Sequence, residues 1–143
     1  MVDVSAKDVT AREATAEAQI VMSEPAYAAA AAGELPKGEL LDVVRLAGIM
    51  AAKRTPELIP FCHPLRLTHV DVEATLDAAL PGVRLRATVR CTDRTGVEME
   101  ALTACAVAGL TVIDMVKAVD PWARLEGMGV RLKRGGRSGT RRR

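Results

Sequence analysis

Apolar and polar residues alternate along residues 10–22, TAREATAEAQIVM. One side of this segment carries Ala14, Ala16, Ala18, Ile20 and Met22, and the other carries Glu13, Thr15, Glu17 and Gln19. A period of two predicts a β-strand with one buried face. The Ala and Glu content favours a helix instead, so periodicity and propensity disagree in this segment.

Two further alternating stretches predict a β-hairpin. Residues 83–92, VRLRATVRCT, have a clear apolar side made of Val83, Leu85, Ala87, Val89 and Cys91. A strand is also expected over residues 66–76, and the DAALPG segment between the two stretches can form the turn of a hairpin. A last strand is predicted over residues 124–133.

Three helices are predicted, over residues 23–33, 39–54 and 100–118. Ser23 can cap the first and Gly33 can end it, whereas the second has apolar residues at helical spacing. The second is expected to end at Thr55-Pro56, because the residue before a proline is pushed out of the helical region. Its predicted apolar face consists of Leu40, Val43, Val44, Ala47 and Met50.

The predicted element order is β-α-α-β-β-α-β, which indicates an α+β fold of ferredoxin-like type, an antiparallel sheet with helices packed on one face. We expect a single domain over residues 1–143 with a Gly/Arg-rich tail at 134–143. A hydrophobic content of 49% excludes wholesale disorder. The three aromatic residues leave a core of small aliphatic side chains, whose flat faces favour oligomers.

The net charge of +2 is unevenly distributed. Residues 131–143 hold seven of the 20 Lys and Arg residues and no acid, so the rest of the chain has 13 basic and 18 acidic residues, a balance of −5. We expect Arg141 to Arg143 to be a disordered basic tail.

No stretch of 18 or more residues is purely apolar, which predicts no membrane-spanning segment. The three cysteines lack metal-motif spacing, so we expect free thiols, no metal site and a reducing, cytoplasmic location.

His63 is one of two histidines and stands in IPFCHPL, between two prolines. The prolines predict a stiff, extended segment, from which an imidazole could be aimed at a ligand. In such a segment Cys62 and His63 point to opposite sides, so they are not expected to pair. A histidine simply hydrogen-bonded within a connection is the alternative interpretation.

Two acids, Glu98 and Glu100, stand where the third helix is expected to begin. Carboxylates are favoured at a helix start by the exposed amide groups, which explains them without any function. They could equally accept hydrogen bonds from the N–H groups of a polar ring, such as a guanine-type edge.

A narrow polar stripe follows the same helix, and its members are Glu100, Thr103, Thr111, Asp114 and Lys117. Asp114 and Lys117 stand three residues apart and can touch. A carboxylate beside an ammonium group can act as a general acid and base. A solvated helix face is the alternative.

The segment KRGGRSG, residues 133–139, combines cations with consecutive glycines. It lacks P-loop spacing, but glycines let backbone amides converge on an anion, and Lys133 and Arg137 supply charge. A disordered basic tail is the alternative. Together the four features predict a phosphorylated, purine-like small molecule and acid–base chemistry.

These residues resemble the molybdenum-cofactor biosynthesis protein C family. The matching stretches are MVDVSAK (1–7), KGE (37–39), AGIMAAKRTPELIPFCHPL (47–65), TGVEMEALTA (95–104), DMVKAV (114–119) and KRGGRSG (133–139). The resemblance implies a cyclic pyranopterin monophosphate synthase, a lyase that acts on cyclic dihydro-GTP (3′,8-cyclo-7,8-dihydroguanosine triphosphate) and releases pyrophosphate. It also implies a homohexamer, a trimer of dimers with each active site at a subunit boundary.

The resemblance also implies roles for individual residues. Asp114 would be the catalytic acid or base, with Lys117 and Lys37 beside it. The substrate-binding residues would be Phe61, Cys62, His63, Glu98, Met99, Glu100, Lys133 and Arg137, together with Asp3, Lys7 and Arg12 from the neighbouring subunit. No cofactor is implied, although Mg²⁺ is compatible with a triphosphate.

Two other function classes fit parts of the sequence. A nucleic-acid-binding module would combine a ferredoxin-like sheet with the basic tail, but the predicted strands contain no Phe or Tyr on which bases could stack. A non-catalytic homologue that binds a nucleotide would be expected to have lost the Asp114 and Lys117 pair, which is intact. We therefore expect neither nucleic acid nor membrane as a partner.

Overall fold

The computed structural model describes all 143 residues, with five strands and four helices. The strands are β1 (Thr10–Val21), β2 (Leu67–Asp77), β3 (Gly82–Asp93), β4 (Arg124–Arg134) and β5 (Arg141–Arg142). The helices are α1 (Glu24–Ala32), α2 (Leu40–Lys53), α3 (Thr55–Leu58) and α4 (Glu98–Val116). All neighbouring strands are antiparallel, in the order β2-β3-β1-β4-β5. The predicted α+β, ferredoxin-like class with helices on one face is confirmed.

The inner face of the sheet is the one that the alternating patterns predicted. Every residue expected on the apolar sides of β1 and β3 is buried. The two strands pair along their whole length, and Ala16 lies opposite Ala87. Small side chains at this centre let α4 pack closely across β1, β3 and β4.

Helix α4 is long and apolar enough to cross a membrane by length and composition alone. More than half of it is buried within the fold, where Ala104, Ala108 and Val112 have no exposed surface. The buried core helix of a globular fold can have the same length and apolar composition.

The outer face of the sheet is covered by charged side chains in pairs across the strands. Arg90 contacts Glu13 at 2.5 Å, and both Arg86 and Arg131 contact Glu17, at 3.4 and 3.2 Å. Exposed pairs of this kind contribute little to stability. They do neutralise most of the arginines on this face.

Helix α2 buries Leu40 and Val44 as predicted, but the rest of its buried face differs from the prediction. Val43 and Met50 are 43% and 45% exposed, whereas Gly48, Ala51 and Ala52 are buried. A Cβ at Gly48 would lie 3.1 Å from the Ala104 carbonyl oxygen, so α2 approaches α4 through its smallest residues. The prediction for Val43 and Met50 was wrong because close helix packing selected the small-residue side. The end of α2 near Thr55 was predicted, although Thr55 also begins the one-turn helix α3.

The C-terminal tail is more ordered than expected. Arg141 pairs with Lys133 across β5 and β4, and the Arg143 N–H donates to the Arg131 carbonyl at 3.1 Å. The expectation of a disordered tail was wrong because the turn after β4, which contains Gly135 and Gly136 at positive φ, returns the chain to the sheet edge.

Candidate active site

Two groups of polar side chains lie at opposite ends of α4. Glu98 begins the helix and Asp114 stands near its end, 16 residues later. At 1.5 Å per residue, these positions are about 24 Å apart along the helix axis. We call the first group the amino-end cavity and the second the carboxyl-end cluster.

The carboxyl-end cluster consists of Lys37, Asp114 and Lys117. The Lys37 ammonium contacts one oxygen of Asp114 at 2.5 Å, and the Lys117 ammonium contacts the other at 2.7 Å. Lys37 arrives from the loop before α2, next to Gly38, which has a φ of 87°. Each of the three side chains is about half exposed, so a ligand can reach them.

The two lysines lower the pKa of Asp114 in the free chain. Hydrogen bonds from Lys117 and then Lys37 lower the pKa of Asp114 from 3.8 to about 2. Asp114 is a carboxylate at neutral pH with either pKa, and each of its oxygens accepts a hydrogen bond from a lysine ammonium group. Such a cluster can hold an acidic proton beside a latent base.

The amino-end cavity has a volume of about 550 Å³ and no hydrophobic side chain in its lining. The lining comes from the N-terminal segment, the start of β1, the loop before α4, the end of β4 and the turn that follows it. Its residues are Lys7, Asp8, Thr10, Arg12, Arg94, Thr95, Gly96, Glu98, Lys133, Gly136, Arg137 and Ser138. Five cations against two acids make the cavity suitable for a polyanion.

Glycines make room for two of the charged side chains in this cavity. A Cβ at Gly136 would lie 1.9 Å from Arg12 Nη1, and a Cβ at Gly96 would lie 1.9 Å from Glu98 Oε2. The sequence interpretation, in which consecutive glycines present amides to an anion, missed this steric role.

A smaller cavity of about 300 Å³ adjoins the first and shares Thr95, Gly96 and Glu98 with it. It brings together six of the eleven substrate-binding residues that the resemblance implies, namely Phe61, Cys62, His63, Glu98, Met99 and Glu100. Burial, followed by the nearby charge of Glu100, raises the pKa of Cys62. Cys62 is therefore a neutral thiol at neutral pH.

Both glutamates at the start of α4 are tied into the fold. Glu98 accepts a bond from Lys133 at 2.5 Å. Glu100 is only 3% exposed, and its pKa is raised, first by burial and then by the charge of Glu98. The predicted polar stripe does not continue as one site, because Thr103 is buried and the Thr111 hydroxyl donates to the Val107 carbonyl at 2.7 Å.

His63 holds the N-terminal segment. Its Nε2 lies 2.9 Å from the carbonyl oxygen of Val2. The expected extended conformation holds at Ile59, but the Cys62 N–H bonds back to the Ile59 carbonyl at 3.1 Å and makes a turn there. Asp3 lies in the same region, where the Ser5 N–H hydrogen-bonds its carboxylate and lowers its pKa.

Sequence reasoning missed some lining residues of the amino-end cavity, notably Arg94 and Thr10. Arg94 stands directly before the Thr95-Gly96 turn, and this was the only signal that could have identified it. Lys7 and Arg12, which the resemblance assigns to a neighbouring subunit's site, line the same cavity as Glu98 of their own chain.

A family model described as the MoaC family matches residues 1–136, which include almost every residue of the two groups. The chain belongs to the MoaC family. Arg137 lies one residue beyond the matched span.

Individual MoaC-family relatives are similar over almost the whole chain. A cyclic pyranopterin monophosphate synthase of Methylobacterium sp. (strain 4-46) is 58% identical over 140 residues, which are 98% of this chain and 88% of the relative. Proteins of the same name from Nocardioides sp. and Roseiflexus sp. (strain RS-1) are 57% and 55% identical, each over 97% of this chain. They cover 86% and 88% of those relatives.

Proposed function

We infer that this chain is a cyclic pyranopterin monophosphate synthase, a lyase of molybdenum cofactor biosynthesis. Its substrate is a small molecule, the cyclic dihydro-GTP, and its products are cyclic pyranopterin monophosphate and pyrophosphate. The single observation that carries this inference is similarity, over almost the whole chain, to proteins of that name.

The geometry supports a division of the substrate between the two adjoining cavities. The triphosphate would occupy the amino-end cavity, where Lys7, Arg12 and Arg137 have no carboxylate partner within ion-pair distance. The guanine-derived ring would occupy the smaller cavity beside Glu100 and His63. Charge complementarity thus separates the phosphates from the ring.

The acid–base chemistry is assigned to the carboxyl-end cluster. Lys117 and Lys37 would donate protons, and Asp114 would accept them. In the free chain the two lysines keep Asp114 weakly basic. A substrate that draws a lysine toward its own oxygens weakens those hydrogen bonds, and Asp114 then becomes a stronger base.

One chain cannot supply both groups to one reacting centre, because about 24 Å of helix separates them. We therefore assign each site to two chains, with the amino-end cavity from one and the carboxyl-end cluster from the other. A twofold axis between two copies would create two such sites. In each site the subunit boundary lies between the amino-end cavity of one chain and the carboxyl-end cluster of the other. Lys7 and Arg12 therefore act with Glu98 and Lys133 of their own chain. A trimer of such dimers is the proposed hexamer.

The proposal includes no resident cofactor, and Mg²⁺ would enter with the triphosphate that it neutralises. A cytoplasmic location is proposed because Cys62, Cys91 and Cys105 are all free thiols.

The decisive experiment is to incubate the purified protein with the cyclic dihydro-GTP and to measure the pyranopterin and pyrophosphate. We expect equal amounts of the two products, and almost none from Asp114→Asn. Binding of the substrate without either product would instead identify a nucleotide-binding homologue without this activity.

A further inference from the structure

Arg94 is a half-buried arginine in the loop between β3 and α4, and its side chain lines the amino-end cavity. Its backbone N–H donates to the Asp93 carboxylate at 2.7 Å, and its carbonyl accepts a hydrogen bond from Arg12 at 3.1 Å. Its guanidinium donates to the carbonyl of Ser5. The residue is therefore fixed at three points beside the cavity.

The guanidinium of Arg94 has no ion-pair partner, unlike four arginines of β3 and β4. Arg84, Arg86, Arg90 and Arg131 each contact an Asp or Glu. A guanidinium has five N–H donors, and the bond to Ser5 uses one of them. The remaining donors and the full charge are available to a ligand.

A second group in the cavity also lacks a partner. The hydroxyl of Thr10 is buried and forms no hydrogen bond within the chain. Buried polar atoms are normally hydrogen-bonded, so an unpaired hydroxyl in a lining that also holds a guanidinium without a carboxylate partner indicates a ligand rich in acceptor oxygens. Phosphate groups have this chemistry.

We propose that Arg94 binds the β- and γ-phosphates of the substrate and holds the pyrophosphate that leaves. This assignment rests on the proposed function. The α-phosphate must reach the acid–base cluster of the second chain, whereas the other two phosphates carry most of the charge and match the unpaired cations of the cavity.

The role of Arg94 follows from the electron balance of the step that releases pyrophosphate. A substrate hydroxyl oxygen forms a bond to the α-phosphorus, and its proton passes to the carboxyl-end cluster. The bond from the α-phosphorus to the bridging oxygen breaks, and its electron pair leaves on pyrophosphate. A guanidinium already fixed by its backbone and by Ser5 stabilises that growing charge without reorganisation.

The test compares Arg94→Gln with the wild-type protein in calorimetric titrations with inorganic pyrophosphate and in steady-state kinetics. Glutamine removes the charge but can still donate to the Ser5 carbonyl. We expect pyrophosphate to bind about 10- to 100-fold more weakly, with a comparable rise in KM. Arg94→Lys should recover part of the affinity.

Arg84→Gln is the matched control, because it makes the same charge change about 33 Å away along β3. It should leave pyrophosphate affinity unchanged. If the wild type turns over and Arg94→Gln binds pyrophosphate within about twofold of it, Arg94 only holds the N-terminal segment and the assignment is overturned. If the wild type makes no product yet pyrophosphate binding depends on Arg94, the proposed function fails and the anion site stands.

Discussion

Arg12 lies directly over Gly136, with its Nη1 atom only 1.9 Å from where a Cβ at that position would stand. The same guanidinium donates to the carbonyls of Asp93 and Arg94, at 3.3 and 3.1 Å. Its place in the amino-end cavity therefore depends on a residue without a side chain at 136.

Gly136→Ala should displace Arg12 and lower kcat/KM by about 10-fold or more, the scale of a lost charged hydrogen bond. Gly136 has a φ of 67°, so alanine also costs about 1 kcal/mol of backbone strain. Gly139→Ala is the control, since its φ is 60° and nothing lies within 4 Å of its Cβ position. Both variants should lose similar stability in urea unfolding. Equal activity in the two would show that Arg12 does not need this space.

Mixed oligomers test whether each site uses two chains. Arg12→Ala and Asp114→Ala chains, each poor alone, should regain activity when they are mixed and reassembled. One of the two sites in a mixed pair then combines an intact amino-end cavity with an intact carboxyl-end cluster. Activity is measured on oligomers isolated through two different affinity tags.

The control mixture combines Arg12→Ala with Lys133→Ala, because both changes lie in the amino-end cavity. No site in that mixture is intact, so no recovery is expected. Recovery in both mixtures, or in neither, would contradict the assignment of the boundary.

Asp114→Asn should lower turnover by at least about 10²-fold, the lower range for a lost general acid or base. Lys117→Ala should do the same, and the double variant should be little worse than the worse single one, because the groups act as a unit. Substrate binding should change much less, since both cavities stay intact. Asp42→Asn is the matched control, an exposed acid beside Arg45 on α2. Near-normal turnover in Asp114→Asn would contradict this assignment, and Lys37 and His63 would then be the candidates for the acid–base group.

Glu100→Gln should stabilise the protein while it impairs activity. Burial raises the pKa of Glu100 above its ordinary 4.5, so the folded state favours the protonated form. The contribution of protonated Glu100 to the free energy of unfolding is complete below pH 4.5 and is lost as pH rises. At pH 7 we expect Glu100→Gln to unfold with a free energy about 1–2 kcal/mol higher than the wild type, the scale of a poorly compensated buried polar group. Urea unfolding at pH 7 and pH 4 should show the difference shrinking at pH 4, and a difference that grows toward low pH would have the wrong sign.

The sheet was predictable because each strand has one strictly buried face. Along β1, Ala14 and Ala16 look like helix formers, yet their period of two matched the structure. The face of α2 was not predictable in the same way. Val43 and Met50 were predicted to be buried because their side chains are large and apolar. In the structure Gly48 faces α4 instead, because the two helix backbones approach closely. The sequence of α2 alone does not show how near its partner helix lies.

The candidate site was predictable where its residues are neighbours in sequence. Asp114 and Lys117 are three residues apart, and spacing alone joined them. Lys37 lies 77 residues away from Asp114, so the resemblance supplied it and no periodicity could. Arg94 is a single cation before a turn, and its unpaired state becomes visible only when the surrounding chain is folded.

Strand β5 is a two-residue strand of arginines on the outer edge of β4. A long, flat, uncharged edge strand invites another chain to add itself by backbone hydrogen bonds, and this is a common route to aggregation. A very short strand whose side chains repel an identical copy is a poor template for such growth. The basic C-terminus thus protects one edge of the sheet, which gives the closing arginines a use in solubility that is independent of catalysis.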